Sequence, residues 1–550
     1  MMTLSALLGD AAATAQGGRA AWLAAGGDGL AAQVPAQLMA PPRAADAPQA
    51  RHGAIATGAP AATRIGMQVL ADGGTAADAA VAAAMAIMVA DPPNASVAGR
   101  GHILWAREGM TPEAIDGATA APPDLPPGLT GLPDAQALPL PGILRALLRL
   151  HRRAGRLPLA QLAAPARDLA RDGFVVPDEL ARVWAWRAPE IADPDARRVY
   201  LPLGRPPEAG TRFRNPALAT VFDRLIATGQ DPFADPGFAG PLAARLAAKG
   251  AYWTPAALAA ADPLDGETVA LAGAGWRLTS IGRQGWGDTL LRIVALQSSV
   301  DPRTPCEAEL VHLLAILCAF EERPQHLRSL KPKTDPLPWD VLRDRLTDPL
   351  RLDWSAQDVL RQAIDRAGLP ELAEERDTTH LSVVDAQGMR VALTQSIGPH
   401  FGSRVADPET GMLLAHSYRM AHDPAPGARD VTEQCPSLLD TAGASYALGG
   451  AGSERIPGAV AAVLRHLLAG RDLAQAMAAP RANWVGATAR LHIDVPQGLE
   501  TRLADAGVTI AFTGRGPVDH LGIVQAACRR ADRGCAAAAD PAYSGSAAAG

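Results

Sequence analysis

Apolar positions along this chain follow two different periods. From Ala62 to Pro92, ATRIGMQVLADGGTAADAAVAAAMAIMVADP keeps the three-to-four-residue spacing of buried helix faces and breaks only at Asp72-Gly73-Gly74. Two helices are predicted there, the second capped by Thr75 and ended ahead of Pro92. The same period returns in LPLAQLAAPARDLARDGF, where Leu159, Leu162, Ala163, Ala166, Leu169 and Ala170 share a face. After residue 376 the spacing changes to alternation in HLSVVDA, RVALTQS, SYALGG and ARLHIDV, with helices expected at 455–478 and 497–506. Val383 and Val384, then Val391 and Leu393, flank Asp385-Ala386-Gln387-Gly388, which predicts a β-hairpin. A helix-rich first part runs into a strand-rich second part without a long linker, so one layered α/β domain is expected. Residues 1–50, a low-complexity mix of Ala, Gly, Pro and Gln, are expected to form a poorly ordered extension.

Composition narrows the function classes. The 550 residues are 48% hydrophobic and 20% charged, the balance of a globular protein with a large core. A net charge of −6, with both signs mixed along the chain, offers no basic stripe for nucleic acid. The most apolar stretch, beginning at Ala76, contains Asp78 and ends by Ala90, too short to span a membrane. No basic, then apolar, secretory pattern opens the chain, so a cytoplasmic protein is expected. The five cysteines are spaced like no zinc site or disulfide framework. GGAGSER at Gly449–Arg455 has the glycine density of a phosphate loop but no following Gly-Lys-Ser/Thr, and SVAGRGHILW lacks the acidic residue of a dinucleotide fold. His400 and His416 lie far in sequence from other plausible ligands and read as hydrogen-bonded side chains. No cofactor and no metal are expected, and the partner expected is a small-molecule amide or peptide.

The hairpin opens with RDTTHLSVVDAQG, and the two threonines ahead of His380 fit any strand by their β-branching alone. Their context says more. LADGGTAADAAVAAA, AIDGATAAP, LPLAQLAAPARDLARDGFVV, TTHLSVVDAQG, FGS, TGMLL, GGAGSERI and APRANW occur in one order along residues 51–545. In that order they resemble the γ-glutamyltransferase family of N-terminal-nucleophile hydrolases. The resemblance implies a four-layered αββα sandwich and a precursor that cuts itself at Asp377–Thr378, giving a large chain over 51–377 and a small one over 378–550 that stay associated. The chemistry has its own logic. A threonine hydroxyl needs a base, and cutting before Thr378 frees an α-amine with a pKa of about 8 that can take the hydroxyl proton.

The resemblance also implies a supporting hydroxyl at Ser396 and an oxyanion hole at Gly452 and Ser453, although Ser396 as a strand residue and Gly452-Ser453 as a plain turn are the alternatives. It places substrate contacts at Thr379, His380, Ser417, Thr432, Glu433 and Ala118. Several of these depart from the pattern that grips a γ-glutamyl head group. Ala118 stands where an arginine is usual, Gly398 where an asparagine is usual, Thr432 and Glu433 replace a serine pair, and Ser417 and Met420 replace the glutamine and aspartate. A self-processing amidase or acyltransferase with a different acyl donor is the first reading. A true γ-glutamyl enzyme, with Arg100 or Arg404 compensating, is the second, and a silent binding relative the third.

Overall fold

The computed structural model describes residues 41–282, 284–321, 376–513 and 521–550. Two antiparallel seven-stranded sheets lie face to face. Across the first, the strands run Ser546–Ala549, Gly53–Thr57, Arg376–Asp385, Arg390–Pro399, Arg100–Ala106, Glu113–Gly117 and Leu264–Gly266. Across the second they run Arg43–Ala47, Cys535–Ala539, Ile523–Arg530, Ala444–Ala451, Ser437–Thr441, Trp276–Ile281 and Thr268–Gly273. A three-stranded sheet built from Ala482–Val485, Thr488–His492 and Thr509–Thr513 stands apart from both.

Strand alternation divides the apolar residues into layers. In the first sheet Ile55, Ile103, Leu381, Val391 and Leu393 face the helices, in one core with Val81 and Met85 of the fully buried helix Ala76–Ala90. The alternate positions Ala54, Ala56, Leu104, Val384 and Ala392 face the second sheet, whose Ala447, Ala527 and Ala537 meet them. Alanine dominates this middle layer and lets the sheets approach closely. The outer face of the second sheet, with Leu278, Leu439, Leu448 and Val524, packs on the helices Gly287–Ser298, Pro305–Glu321 and Ile456–Leu468. The result is the αββα sandwich.

Local signals in the sequence act where they were read. The helix Pro60–Ala71 ends at Asp72, Gly73 turns the chain at φ +87°, and Thr75 caps Ala76–Ala90 in a reciprocal box with Asp78. The helix Leu159–Asp172 buries Leu162, Ala163, Ala166 and Ala170. The hairpin forms as predicted, Asp385 Oδ1 accepting the N–H groups of Gln387 and Met389. Four of the five cysteines are buried. One expectation needs correction: the extension placed at 1–50 includes the edge strand Arg43–Ala47, paired along its length with Cys535–Ala539. Its order comes from backbone pairing and from Arg43, which donates to the carbonyls of Tyr543 and Gly545, and not from apolar burial. Residues 1–40 lie outside the described residues. Among the described residues no helix is long and apolar enough to cross a membrane.

His380 stands in the middle layer, fully buried, with Nδ1 against Thr394 Oγ1 at 2.8 Å and Nε2 against Ser382 Oγ at 2.9 Å. A Cβ on Gly449 of the facing sheet would lie 2.4 Å from its ring, so the glycine makes the room. Burial pushes the His380 pKa down to about 3, and that of His102, also fully buried, to about 4. Unfolded histidines protonate near pH 6.5 while these two stay neutral in the folded chain. The unfolded state therefore binds more protons below that pH, and their contribution to stability, complete above pH 6.5, is lost as pH falls toward 4 and 3. Asp231, Asp385 and Glu309, whose carboxyls burial pushes up, act in the opposite sense, so the informative quantity is a difference between proteins. Urea unfolding at pH 8 and 5.5 should show a shallower loss on acidification in His380→Asn than in the native protein, by about 1.4 kcal/mol per pH unit below 6.5. Equal slopes would mean that His380 is protonated in the fold.

Candidate active site

The start of the strand Arg376–Asp385 is open on one side. Its pairing with Gly53–Thr57 begins only at Leu381, opposite Thr57, so Thr378, Thr379 and His380 are paired through Arg390–Pro399 alone. That pairing slips at Thr378: Asp377 faces Gly398 but Thr379 faces Gln395, so Ser396 and Ile397 share the place opposite Thr378. This is a β-bulge, which bends the strand locally and re-aims a side chain. Thr378 is nearly buried and Ser396, beside it on the neighbouring strand, is buried too.

The next strand continues the row. Ser396 is in register with Arg100, and Gly101 with Gly117, which puts Ala118 at the level of Arg100. Strand spacing makes the distance from Thr378 to the Ala118 position roughly 14 Å, three strand separations. Gly398 turns at φ +101° just past Ser396. A Cβ there would lie 3.1 Å from the His416 carbonyl oxygen and 3.4 Å from an Arg100 Nη, so a side chain at this position would meet both strain and crowding. Ser396 Oγ accepts the Gly398 N–H at 3.0 Å.

Gly452 and Ser453 come from the facing sheet. They follow the strand Ala444–Ala451, and the turn Ser453–Arg455 packs against the strand Arg376–Asp385. Both lie in the left-handed region, φ +118° and +57°. Arg455 pins the turn, its Nε donating to the Gly452 carbonyl at 2.8 Å, while Asn483 Nδ2 donates to the Arg455 carbonyl at 2.9 Å. The helix Ile456–Leu468 begins immediately afterwards, so its positive end lies close to these two N–H groups.

The head-group positions are occupied by one another. Asp430, which the sequence reading did not single out, accepts from Thr119 Oγ1 at 2.6 Å, from Ser417 Oγ at 2.8 Å and from Arg100 Nη1 at 3.2 Å. Ser417 also accepts the Met420 N–H, and Arg100 donates to the His416 carbonyl. A second pair lies alongside, the buried Asp116 with the half-buried Arg429 at 3.1 Å. Burial pushes the Asp116 carboxyl up, but His102 and Arg429 outweigh it and hold the group below the usual carboxylate range. Thr432 Oγ1 accepts the Gln434 N–H, and Glu433 is buried next to it. Arg404, the other arginine considered as a substitute, pairs with Glu190.

Of the expected substrate contacts, His380 has both ring nitrogens engaged in the layer between the sheets. Thr379 is buried against Gly58, and the Ala118 methyl group is buried with its N–H on Asp116. His416 and His400 are hydrogen-bonded side chains, to Asp134 and Arg187. Among the described residues no group of three or more His, Cys, Asp or Glu could hold a metal ion.

Comparison with known proteins places the chain in a family and a fold. The family described as Gamma-glutamyltranspeptidase matches residues 62–550. The Acylase ACY 1 proenzyme of Pseudomonas sp. (strain SE83) is 29% identical over 545 residues, spanning 88% of this chain and 92% of that protein. The Glutathione hydrolase 5 proenzyme of Mus musculus is 28% identical over 499 residues, 82% of this chain and 85% of that one. In three dimensions the cephalosporin acylase from Bacillus halodurans superposes with a TM-score of 0.75 at 23% identity, covering 91% of this chain and 96% of that chain, which attests the shared fold. The chain belongs to the gamma-glutamyltranspeptidase family of N-terminal-nucleophile hydrolases, and is an enzyme of its self-processing amidase and acyltransferase type.

Proposed function

We propose that the chain cuts itself at Asp377–Thr378 and then uses Thr378 to cleave the amide of an acyl donor that lacks an α-amino-acid head group. Thr378 Oγ1 attacks the acyl carbon while the freed α-amine takes its proton. That proton passes to the leaving nitrogen as the C–N bond breaks, and water or an amine then resolves the ester. Ser396 orients the nucleophile from the adjacent strand, and the N–H groups of Gly452 and Ser453 receive the developing oxyanion. The observation that carries the reading is the row Thr378, Ser396, Arg100, Ala118, closed at its far end by Asp430. A γ-glutamyl donor would bring its carboxylate to Ala118, where the two nearby guanidiniums among the described residues are already paired, Arg100 with Asp430 and Arg429 with Asp116. Two relatives named as acylases support the same direction.

Strand order supports the continued association of the two chains. Cutting before Thr378 leaves the strands Arg376–Asp385 and Arg390–Pro399 between Gly53–Thr57 and Arg100–Ala106 of the large chain, and Ser546–Ala549 outside Gly53–Thr57. In the other sheet four small-chain strands lie between Arg43–Ala47 and Trp276–Ile281 of the large chain. Separating the chains would unzip both sheets.

Purified protein should run as two chains of about 39 and 18 kDa, the 56.9 kDa total divided in proportion to residues 1–377 and 378–550. The small chain should begin Thr-Thr-His-Leu on N-terminal sequencing, and Thr378→Ala should stay uncut. Any other start removes Thr378 from the mechanism.

Ser396→Ala should fold, since it removes the hydroxyl that accepts the Gly398 N–H but keeps the backbone pairing of the strand, and turnover should drop by roughly ten- to a thousandfold. Unchanged turnover would make Ser396 an ordinary strand residue.

Donor choice is read by comparing γ-glutamyl-, glutaryl- and plain aliphatic acyl-anilides on the processed protein. Desolvating an unpartnered carboxylate costs several kcal/mol, so kcat/KM for the γ-glutamyl donor should fall at least about a hundredfold below that of the aliphatic donor. A γ-glutamyl donor that outruns the others would overturn the proposed donor class in favour of a γ-glutamyl enzyme.

A further inference from the structure

We propose that Ser453 meets the acyl oxyanion with its side-chain hydroxyl as well as its backbone N–H, a donor that glycine at this position could not supply. The inference rests on the reading of Thr378 as nucleophile. Ser453 bears two costs at once. Its φ of +57° lies in the left-handed region, which glycine enters freely and serine does not. Its Oγ is buried and has no hydrogen-bond partner among the described residues. Glycine would relieve both. The hydroxyl caps neither the short helical turn, whose N-cap is Gly452, nor the helix that follows, whose N-cap is Arg455. A strained residue holding an unsatisfied buried hydroxyl calls for a partner that arrives only during the reaction.

The surroundings fit that use. The turn Ser453–Arg455 packs against the strand that begins the small chain, and Gly449, four residues earlier, is moulded to His380 of that strand. Arg455 and Asn483 hold the turn through the Gly452 and Arg455 carbonyls, so the hydroxyl is carried on a fixed frame. When Thr378 Oγ1 bonds to the acyl carbon, the carbonyl π pair moves onto oxygen. Ser453 Oγ–H then donates a hydrogen bond to that oxygen and keeps its proton throughout. The pair returns as the C–N bond breaks, and the leaving nitrogen takes the proton that the α-amine removed from Thr378. A donor already in place when the charge forms stabilises the transition state more than the ground state.

The test uses the processed native protein and its Ser453→Gly and Ser453→Ala variants, with an aliphatic acyl-p-nitroanilide as substrate and butylboronic acid as a tetrahedral mimic that bonds to Thr378 Oγ1. Both variants should lose kcat by roughly ten- to several-hundredfold with KM changed by less than about threefold. The boronate should bind more weakly by a similar factor. Ser453→Gly should unfold at the same or a higher urea concentration than the native protein, which separates loss of the donor from loss of the fold. Native kcat in Ser453→Gly overturns the proposal, as does a loss confined to KM. So does a loss seen in Ser453→Ala but not in Ser453→Gly, which would trace the effect to backbone strain. Native protein that neither splits nor binds the boronate would instead overturn the reading of Thr378.

Discussion

The backbone pairing of one strand governs the rest of the site. Arg376–Asp385 is a central strand of its sheet, yet the residues at its start are paired on one side only, because the strand Gly53–Thr57 stops opposite Leu381. Pairing on both sides beyond Leu381 gives rigidity, and at Thr378 one backbone edge of the strand is left unpaired. The bulge opposite Thr378 then brings Ser396 next to it, and the close fit of Gly449 to His380 sets the second sheet, with Gly452 and Ser453, against the same end of the strand. A nucleophile whose own amine is its base must be the first residue of a chain. Here that chain end would be held in a sheet whose neighbouring strands come from both halves of the precursor.

Electrostatics beside this frame are self-contained. Arg100 with Asp430, and Arg429 with Asp116, put opposite charges together in largely buried surroundings, and Thr119 and Ser417 satisfy Asp430 further. Removing any one partner would leave a buried charge uncompensated, which costs far more than the pair contributes. Such a cluster is closed to a new ligand carboxylate unless the ligand displaces an existing partner. The polar residues near Ala118 therefore shape the row without offering it an empty charged socket.

Local chemistry was legible in the sequence, and distant pairing was not. Thr75, Asp72 and Gly73 sit within a few residues of the helix ends they set, and the turn at Asp385–Gly388 lies inside the hairpin it closes, so period and turn chemistry sufficed. Thr378, Ser396, Gly452 and Ser453 were found through a family pattern; no periodicity marks them. The strand Arg43–Ala47 escaped because its order depends on residues almost 500 positions away. Asp430 escaped for the same reason, since its partners Arg100 and Thr119 lie more than 300 residues upstream. His380 was named a substrate contact through the same resemblance, and its place in the layer between the sheets follows from strand alternation, which the resemblance did not use.

Where charged groups are already paired, discrimination among donors has to come from shape. An apolar pocket separates ligands that differ by one methylene by only about ten- to two-hundredfold, whereas a site built to hydrogen-bond a head group rejects its absence far more strongly. Under the proposed donor class, Ala118 at the arginine position, with Asp430 holding Arg100, would replace strict polar recognition by recognition graded by acyl length and bulk. The catalytic row need not change for this to happen. Thr378 and Ser396 are fixed by strand pairing near the open end, and the head-group positions lie two and three strands further along. Distance across the sheet lets one part keep the chemistry of acyl transfer while the other changes what is transferred.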